Sequence, residues 1–432
     1  MNIPETAELI VPIAIRNVPI VTGMVEQSAT IFGLDKEGAQ NLGLAAEEVF
    51  NVLASAARPD EKIRIVVRQG GYYVEVACYF SRHAIPITAL NITKIPDPDD
   101  ESDIENLGII LAAKVVDRLQ LVRSRQGEMA LRFTIERRYP EQAIPSGIPP
   151  AGYYSVGEGG FEEIKQFASR VSGMYGANSP GFFRFPGKIV DMVKSREFGV
   201  LLALDGKGNV GGGMLWKWGG KMIDSFGPYI FTPQPGLVGE IVQGVLEKVG
   251  RKGAVCIVNR MPADDLLRNF FEELVESCPA NRIRTTACHP PLYRQLEEDT
   301  GSVAYVHPEI EIFVKECYER LVLPRSVVAT THAGEFIEPH AAFGVQVDKK
   351  QNLAVISTIV AGIDAEEVLA GYVASLYDEG ITRLEFEIDL GDETTPVLVP
   401  ALHAVGFIPC YVLPWGGRGD ILVFEHQGPR GF

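Results

Sequence analysis

Residues 42–57 read LGLAAEEVFNVLASAA. Leu44, Ala45, Val49, Val52, Leu53 and Ala56 recur at helical spacing, so the stretch predicts an Ala-rich core helix with one apolar face. Glu47 and Glu48 interrupt it, and Asn51 follows one turn later, so either acid can share a face with the amide. A carboxylate beside an amide on a core helix is what a metal–nucleotide site needs: a general base and a neutral oxygen ligand for magnesium. The same residues also suit a helix whose polar side chains simply face solvent. Spacing alone leaves both readings open.

The flanking sequence sets this helix in a β-α-α-β-β-loop-α-β order. Residues 8–16 alternate like a strand, and Pro12 demotes them to a sheet edge. Residues 17–32 read as a helix that Gly33 ends. KIRIVVR (62–68) and YYVEVACYF (72–80) form a hairpin around Gly70 and Gly71. A helix over 105–119 and a strand near 129–137 follow.

In this order roughly the first 140 residues resemble the GHKL ATPases. The nearest type is the small anti-sigma-factor serine kinase, whose first nucleotide-binding box runs roughly LAVEEALTNVIKHAY. An ungapped match puts Glu48 on the family's catalytic base, Val52 where the magnesium-binding Asn stands, and Ala56 where a His is common. A one-residue slip restores Asn51 and moves the base to Glu47. The family's V-x-D-x-G box, whose Asp accepts a bond from the adenine amino group, is matched by Val76-Ala77-Cys78-Tyr79-Phe80. A thiol is a weak acceptor, and losing a bond to a charged acceptor costs about 1.5–3 kcal/mol. The Gly-rich lid is replaced by IPDPDDESDIE, whose carboxylates repel a polyphosphate. Of the G-x-G-L box only Gly108 remains, and Asp117 matches a structural helix residue. The resemblance thus implies Glu48 as catalytic residue and Asn51 and Gly108 as nucleotide contacts, with weak or lost binding of ATP-magnesium.

Composition bounds the rest. A chain of 432 residues with 46% hydrophobic and 22% charged content is a globular protein of two or three domains. A net charge of −16 disfavours a non-specific nucleic-acid binder or an anionic membrane surface. The six cysteines include no C-x-x-C pair, which fits a reducing cytoplasm better than disulfides or a zinc site. No signal peptide, membrane span or metal site is expected.

Pro- and Gly-rich sequence over 139–153 reads as a linker, between a domain over 1–138 and two further units over 154–302 and 303–432. In the first of these, a helix at 160–174 precedes a three-strand meander: FGVLLAL, then VGGGMLWKW, then MIDSFGPYIF. A helix at 240–249, a strand at 253–258, a helix at 264–275 and a strand at 283–287 follow. This order resembles the GNAT acyltransferases, whose turn after the fourth strand carries Q/R-x-x-G-x-G/A and holds the coenzyme A pyrophosphate on backbone N–H groups. Here it reads Gln234-Pro235-Gly236-Leu237-Val238-Gly239, with Gln234 in place and the glycines one position out of register. The resemblance implies coenzyme A contacts at Gln234, Gly236 and Gly239, with Asp224, Tyr229 and His289 as candidate bases by residue type. HPPLYRQ (289–295) also resembles a segment of fused anti-sigma-kinase/acetyltransferase-like chains. In the last third, strands at 340–347, 353–360 and 383–389, a helix at 365–377 capped by Asp364, and the V-P-A-L-H-A-V-G-F run resemble the end of a second GNAT unit. His403 reads as structural, and His332 and His340 are too far apart in sequence, without carboxylate partners, to argue a metal site.

The expected fold class is therefore α+β: a GHKL-like α/β sandwich followed by GNAT-like mixed sheets. The expected function is a regulatory, cytoplasmic, bacterial-type protein-binding module derived from anti-sigma-factor kinases. The resemblance implies a sigma factor or STAS-type antagonist as partner, and a homodimer is an option. A coenzyme-A-dependent N-acyltransferase binding acetyl coenzyme A and an active serine kinase are the alternatives.

Overall fold

The computed structural model describes residues 5–56, 61–80, 108, 111–112, 114–123, 129–141, 152–275, 289–330, 338–348 and 352–428. The fold is α+β, with two compact units. One comprises residues 1–138, 334–346 and 355–380; the other comprises 139–333, 347–354 and 381–432.

The first unit opens with β1 (Thr6–Pro12), α1 (Val18–Ile31), α2 (Lys36–Ala56), β2 (Lys62–Gln69), β3 (Tyr73–Phe80), β4 (Arg118–Arg123) and β5 (Met129–Glu136). The strands form an antiparallel sheet in the order β1-β2-β3-β5-β4. Pro12 sits in the edge strand, where its missing N–H breaks no central ladder. Val21 and Val25 of α1 and Leu42, Ala45, Val49 and Leu53 of α2 pack with Ile63, Ile65, Val76 and Phe133 of the sheet. Leu44, expected on the apolar face, is 41% exposed. The helix expected over 105–119 stops short, because Arg118 begins β4, a strand not foreseen. Asp117 is therefore a turn residue rather than a helical one. Its carboxylate accepts the Glu136 N–H at 2.7 Å and fixes the entry of β4 beside β5.

Most of β15 (Ala342–Asp348) and β16 (Leu353–Val360), and all of α7 (Ala365–Asp378), also belong to this unit. Ala342 joins the core just described. Asp364 precedes α7 but makes no side-chain cap. Its carboxylate instead accepts the Ala341 N–H at 2.6 Å and pairs with His340 at 2.9 Å.

The second unit contains β6 (Ser155–Gly157), α3 (Phe161–Tyr175), α4 (Pro186–Lys194), β7 (Phe198–Leu204), β8 (Val210–Gly219), β9 (Met222–Ile230), α5 (Leu237–Val249), β10 (Cys256–Asn259), β11 (Glu272–Glu273) and β12 (Leu292–Gln295). Its seven-stranded sheet has the order β11-β12-β10-β9-β8-β7-β6. Only β9 and β10 run parallel; the other pairs are antiparallel. One face of α5 (Leu237, Ile241, Val242, Val245, Val249) packs on Tyr154, Leu201, Met214, Trp216, Ile223 and Ile257.

The helix expected over 264–275 does not form. One 3-10 turn (Leu266–Asn269) is followed by β11, which pairs with β12 through Glu272↔Tyr293 and Glu273↔Leu292. Apolar residues at 267, 271 and 274 match helical spacing, but covering the edge of β12 prevails over local propensity. The strand expected at 283–287 lies outside the described residues, as do Cys278, Cys288, His332 and the whole acidic run at 95–105.

Further along, β13 (Ser302–Val306), α6 (Glu311–Arg320) and β14 (Arg325–Ala329) make a parallel pair with a helical crossover. Then β17 (Arg383–Asp389), α8 (Val399–Val405), β18 (Phe407–Leu413) and β19 (Ile421–His426) follow. β19 lies between β17 and β18, antiparallel to both.

Candidate functional site

The sequence makes β9 and β10 diverge. They are ladder-paired only from Cys256↔Met222 to Val258↔Asp224. Beyond Asp224 the chain of β9 turns through Gly227, at φ +98°. Opposite it, β8 shifts register between Gly213 and Leu215. Gly213 has to be glycine there, since a Cβ would stand 2.7 Å from the Leu201 carbonyl oxygen. A parallel pair opening like this exposes backbone groups that an extended amide-bearing ligand could pair with.

Here side chains of the protein take up those groups. The buried Asn259 donates Nδ2–H to the Gly227 carbonyl at 2.6 Å, and its Oδ1 accepts the Met261 N–H at 3.1 Å. Ser225 donates its hydroxyl to the Val258 carbonyl at 3.0 Å. The Tyr175 hydroxyl accepts the Ile230 N–H at 2.8 Å and lies 3.1 Å from the Ile230 carbonyl oxygen.

The turn after β9 is similarly engaged. Gln234 uses its whole amide on one residue: Oε1 accepts the Tyr154 N–H at 2.8 Å and Nε2 donates to the Tyr154 carbonyl at 3.2 Å. Gly236, at φ +79°, is the residue before α5. Gly239 lies within the first turn of α5, where an added Cβ would stand 3.6 Å from Phe270 Cζ, an ordinary contact. Glu240 stands in the same turn, and no basic residue does. A pyrophosphate at this helix end would meet a carboxylate instead of a cation.

The chemistry-bearing residues at the diverging strands are Asp224 and a cluster that the sequence reading missed. Arg260, directly after β10, donates to Glu387 at 2.7 Å and reaches Glu385 at 3.5 Å. Arg383 adds a contact to Glu385 at 3.4 Å. Asp224 lies in the field of Arg260, Lys217 and Glu387, and its Oδ1 is buried with no hydrogen-bond partner among the described residues. Burial holds the Asp224 carboxyl above its ordinary range, although Arg260 and Lys217 pull it down. Glu385, 6% exposed, is likewise raised by burial against Arg260 and Arg383. Tyr411 is raised by burial and then by Glu385. The signal for this cluster was present in RLEFEID, where Arg383, Glu385 and Glu387 share the face opposite Leu384, Phe386 and Ile388. Nothing local shows that Arg260, more than a hundred positions earlier, reaches that face.

The other candidate bases stand apart. Tyr229 is fully buried against Tyr175 and Phe183, at centroid distances of 4.8 and 5.3 Å. Its hydroxyl has no partner among the described residues, and burial pushes it well above the ordinary phenol range. His289 pairs through Nδ1 with Asp265 at 2.9 Å, and the same carboxylate oxygen takes Arg268 at 2.8 Å.

In the first unit the structure brings Glu48 and Gly108 together and leaves Asn51 out. A Cβ on Gly108 would lie 3.0 Å from the Val52 side chain and 3.1 Å from Glu48 Oε2. Val52, not Asn51, faces this contact; Asn51 is exposed. Burial and then the neighbouring Glu47 raise the Glu48 carboxyl. Glu47 accepts from the Thr22 hydroxyl at 3.4 Å. Cys78 and Phe80 both belong to the hydrophobic core, and burial pushes the Cys78 thiol up to about 12.

Among the described residues, no group of His, Cys, Asp or Glu is placed to hold a metal ion, and no helix is long and apolar enough to cross a membrane. No protein-family model and no curated protein matches the chain. Among solved structures, an acetyltransferase of the GNAT family from Staphylococcus aureus Mu50 aligns with 33% of this chain and 99% of its own. The identity is 11% and the TM-score 0.25, values at which the likeness carries no weight for fold or function.

Proposed function

We propose that the chain is a non-catalytic, protein-binding regulator of the anti-sigma-factor-kinase type whose acyltransferase-like unit serves as a scaffold. One observation carries this reading: past Asp224, Asn259 and Tyr175 satisfy backbone groups of β9 that a pantetheine arm would need. Core placement of Cys78 and Phe80 supports the same conclusion for ATP, because a buried thiol among apolar side chains offers adenine no charged acceptor. The partner class this reading implies is a sigma factor or a STAS-type antagonist.

Calorimetry on the full chain tests it. Mg-ATP and acetyl coenzyme A are each expected to bind with dissociation constants weaker than about 100 μM. Purified sigma factors and STAS-domain proteins of the source organism, titrated singly, are expected to include a tighter ligand. A tight, magnesium-dependent ATP isotherm abolished by Glu48→Ala overturns the reading in favour of a kinase. A second reading, an N-acyltransferase, draws on Asp224 beside the diverging strands, whose Oδ1 has no hydrogen-bond partner among the described residues. A rise of several degrees in melting temperature with acetyl coenzyme A, removed by Gly236→Pro, would establish it instead.

A further inference from the structure

The outer edge of β6 ends the seven-stranded sheet, and among the described strands nothing pairs with it. A groove of about 700 Å³ runs along it, between the strand and α5. Its apolar floor is Val156 and Leu201; its walls carry Glu158, Glu240, Glu247 and Lys248. Lys248 is paired with Glu158, and among the described residues no cation pairs with the exposed Glu240 or with Glu247, which accepts from Gln243 Nε2 at 3.0 Å.

Gln234 shows what this edge accepts. Its side-chain amide meets both the N–H and the C=O of Tyr154, as a peptide group of an added strand would. Backbone groups two residues apart in a strand share an edge. Val156 therefore presents its N–H and C=O along the line that Gln234 begins, at the mouth of the acidic groove. Glu158 lies two residues further on.

We propose that this groove takes an extended peptide segment with lysine or arginine at alternate positions, adding it as a strand to the outer edge of β6. Main-chain bonds to Val156 supply the attachment. Glu240 and Glu247 select the basic side chains, which point at every second residue to the α5 side of the sheet, and the side chains between them point to the opposite face. The site lies away from the diverging strands β9 and β10, and it stands whether or not the regulatory reading holds.

The test is fluorescence anisotropy of a labelled, end-blocked peptide alternating lysine and valine, titrated with the full chain at low salt. Saturable binding on the order of 10–100 μM is expected. The double variant Glu240→Lys/Glu247→Lys, whose changes lie on exposed positions, is expected to weaken it by about tenfold or more, as is physiological salt in part. Val156→Pro removes the outward N–H and is expected to abolish binding; an edge strand tolerates proline at such a position. Should Val156→Pro unfold the protein, the peptide methylated on alternate backbone nitrogens reads the same contact on the native chain. Equal affinity for the charge-reversed variant, equal affinity of the methylated peptide, or equally tight binding of spermine overturns the proposal, the last because it would reduce the groove to a site for charge alone.

Discussion

Asp224→Asn is expected to stabilise the protein at neutral and alkaline pH. The carboxylate has a buried oxygen without a partner among the described residues, and burial outweighs the pull of Arg260 and Lys217. A buried polar group left unsatisfied costs about 1–3 kcal/mol. Asn keeps the shape, removes the charge and forfeits the attraction to the two cations, so a net gain of about 1 kcal/mol is expected. For a unit of this size that raises the melting temperature by about 2–4 °C. The sign with pH follows from linkage. A carboxyl raised in the folded state contributes stability that is fully present below its unfolded value and lost as pH rises through its folded value. Wild type and variant should differ least at about pH 4, close to the ordinary carboxylate value, and the gap should widen towards about pH 8. Urea unfolding of both proteins at the two pH values measures it. A variant less stable than wild type at pH 8, or a gain that does not change with pH, would refute the reasoning. The first result would mean that Asp224 is held by an attraction stronger than its desolvation.

Three further outcomes are expected. Val322→Gly should stabilise by about 1 kcal/mol, seen as a rise in urea midpoint: Val322 stands at φ +53° in the left-handed position that closes α6, is 82% exposed, and has little packing to lose. Cys78→Asp, which restores the residue type of the nucleotide-binding family, should destabilise by about 3 kcal/mol or more without creating ATP binding by calorimetry, since the site is 1% exposed within the core. Arg325→Met should cost about 3–5 kcal/mol, because Arg325 and Asp420 are wholly out of solvent, Asp299 nearly so, and both carboxylates lose their cation; circular-dichroism melts would show the lower midpoint.

Periodicity made the local elements readable. The α2 stripe, the β2–β3 hairpin, the β7–β8–β9 meander and the alternation of β17 are each set by residues within one element. What escaped was decided between elements. Arg260 and Glu387 are 127 positions apart, and nothing near either names the other. RLEFEID reads as a strand with one wet face, yet Glu385 is buried on that face. Residues 264–275 carry a helical apolar spacing but meet the open edge of β12, which a helix could not pair. Gln234 was legible as a residue type expected near a pyrophosphate; its use as a backbone partner for Tyr154, 80 positions away, was not.

The same physical demand accounts for Asn259, Tyr175 and Gln234. A sheet whose central strands part, and whose last strand is short, leaves N–H and C=O groups that must be bonded to something when they are shielded from water. A protein that always carries a ligand there can leave them to the ligand. One that does not must supply side chains, and each group left bare would cost about 1–3 kcal/mol. Asn259 and Tyr175 fill that role between the strands, and the amide of Gln234 does so at Tyr154. These side chains stabilise the fold, and an entering pantetheine would have to displace them bond for bond. Truncating Asn259 or Tyr175 would therefore open the cleft only by giving up stability, so any coenzyme A affinity gained this way should come with a lower melting temperature in the ligand-free protein.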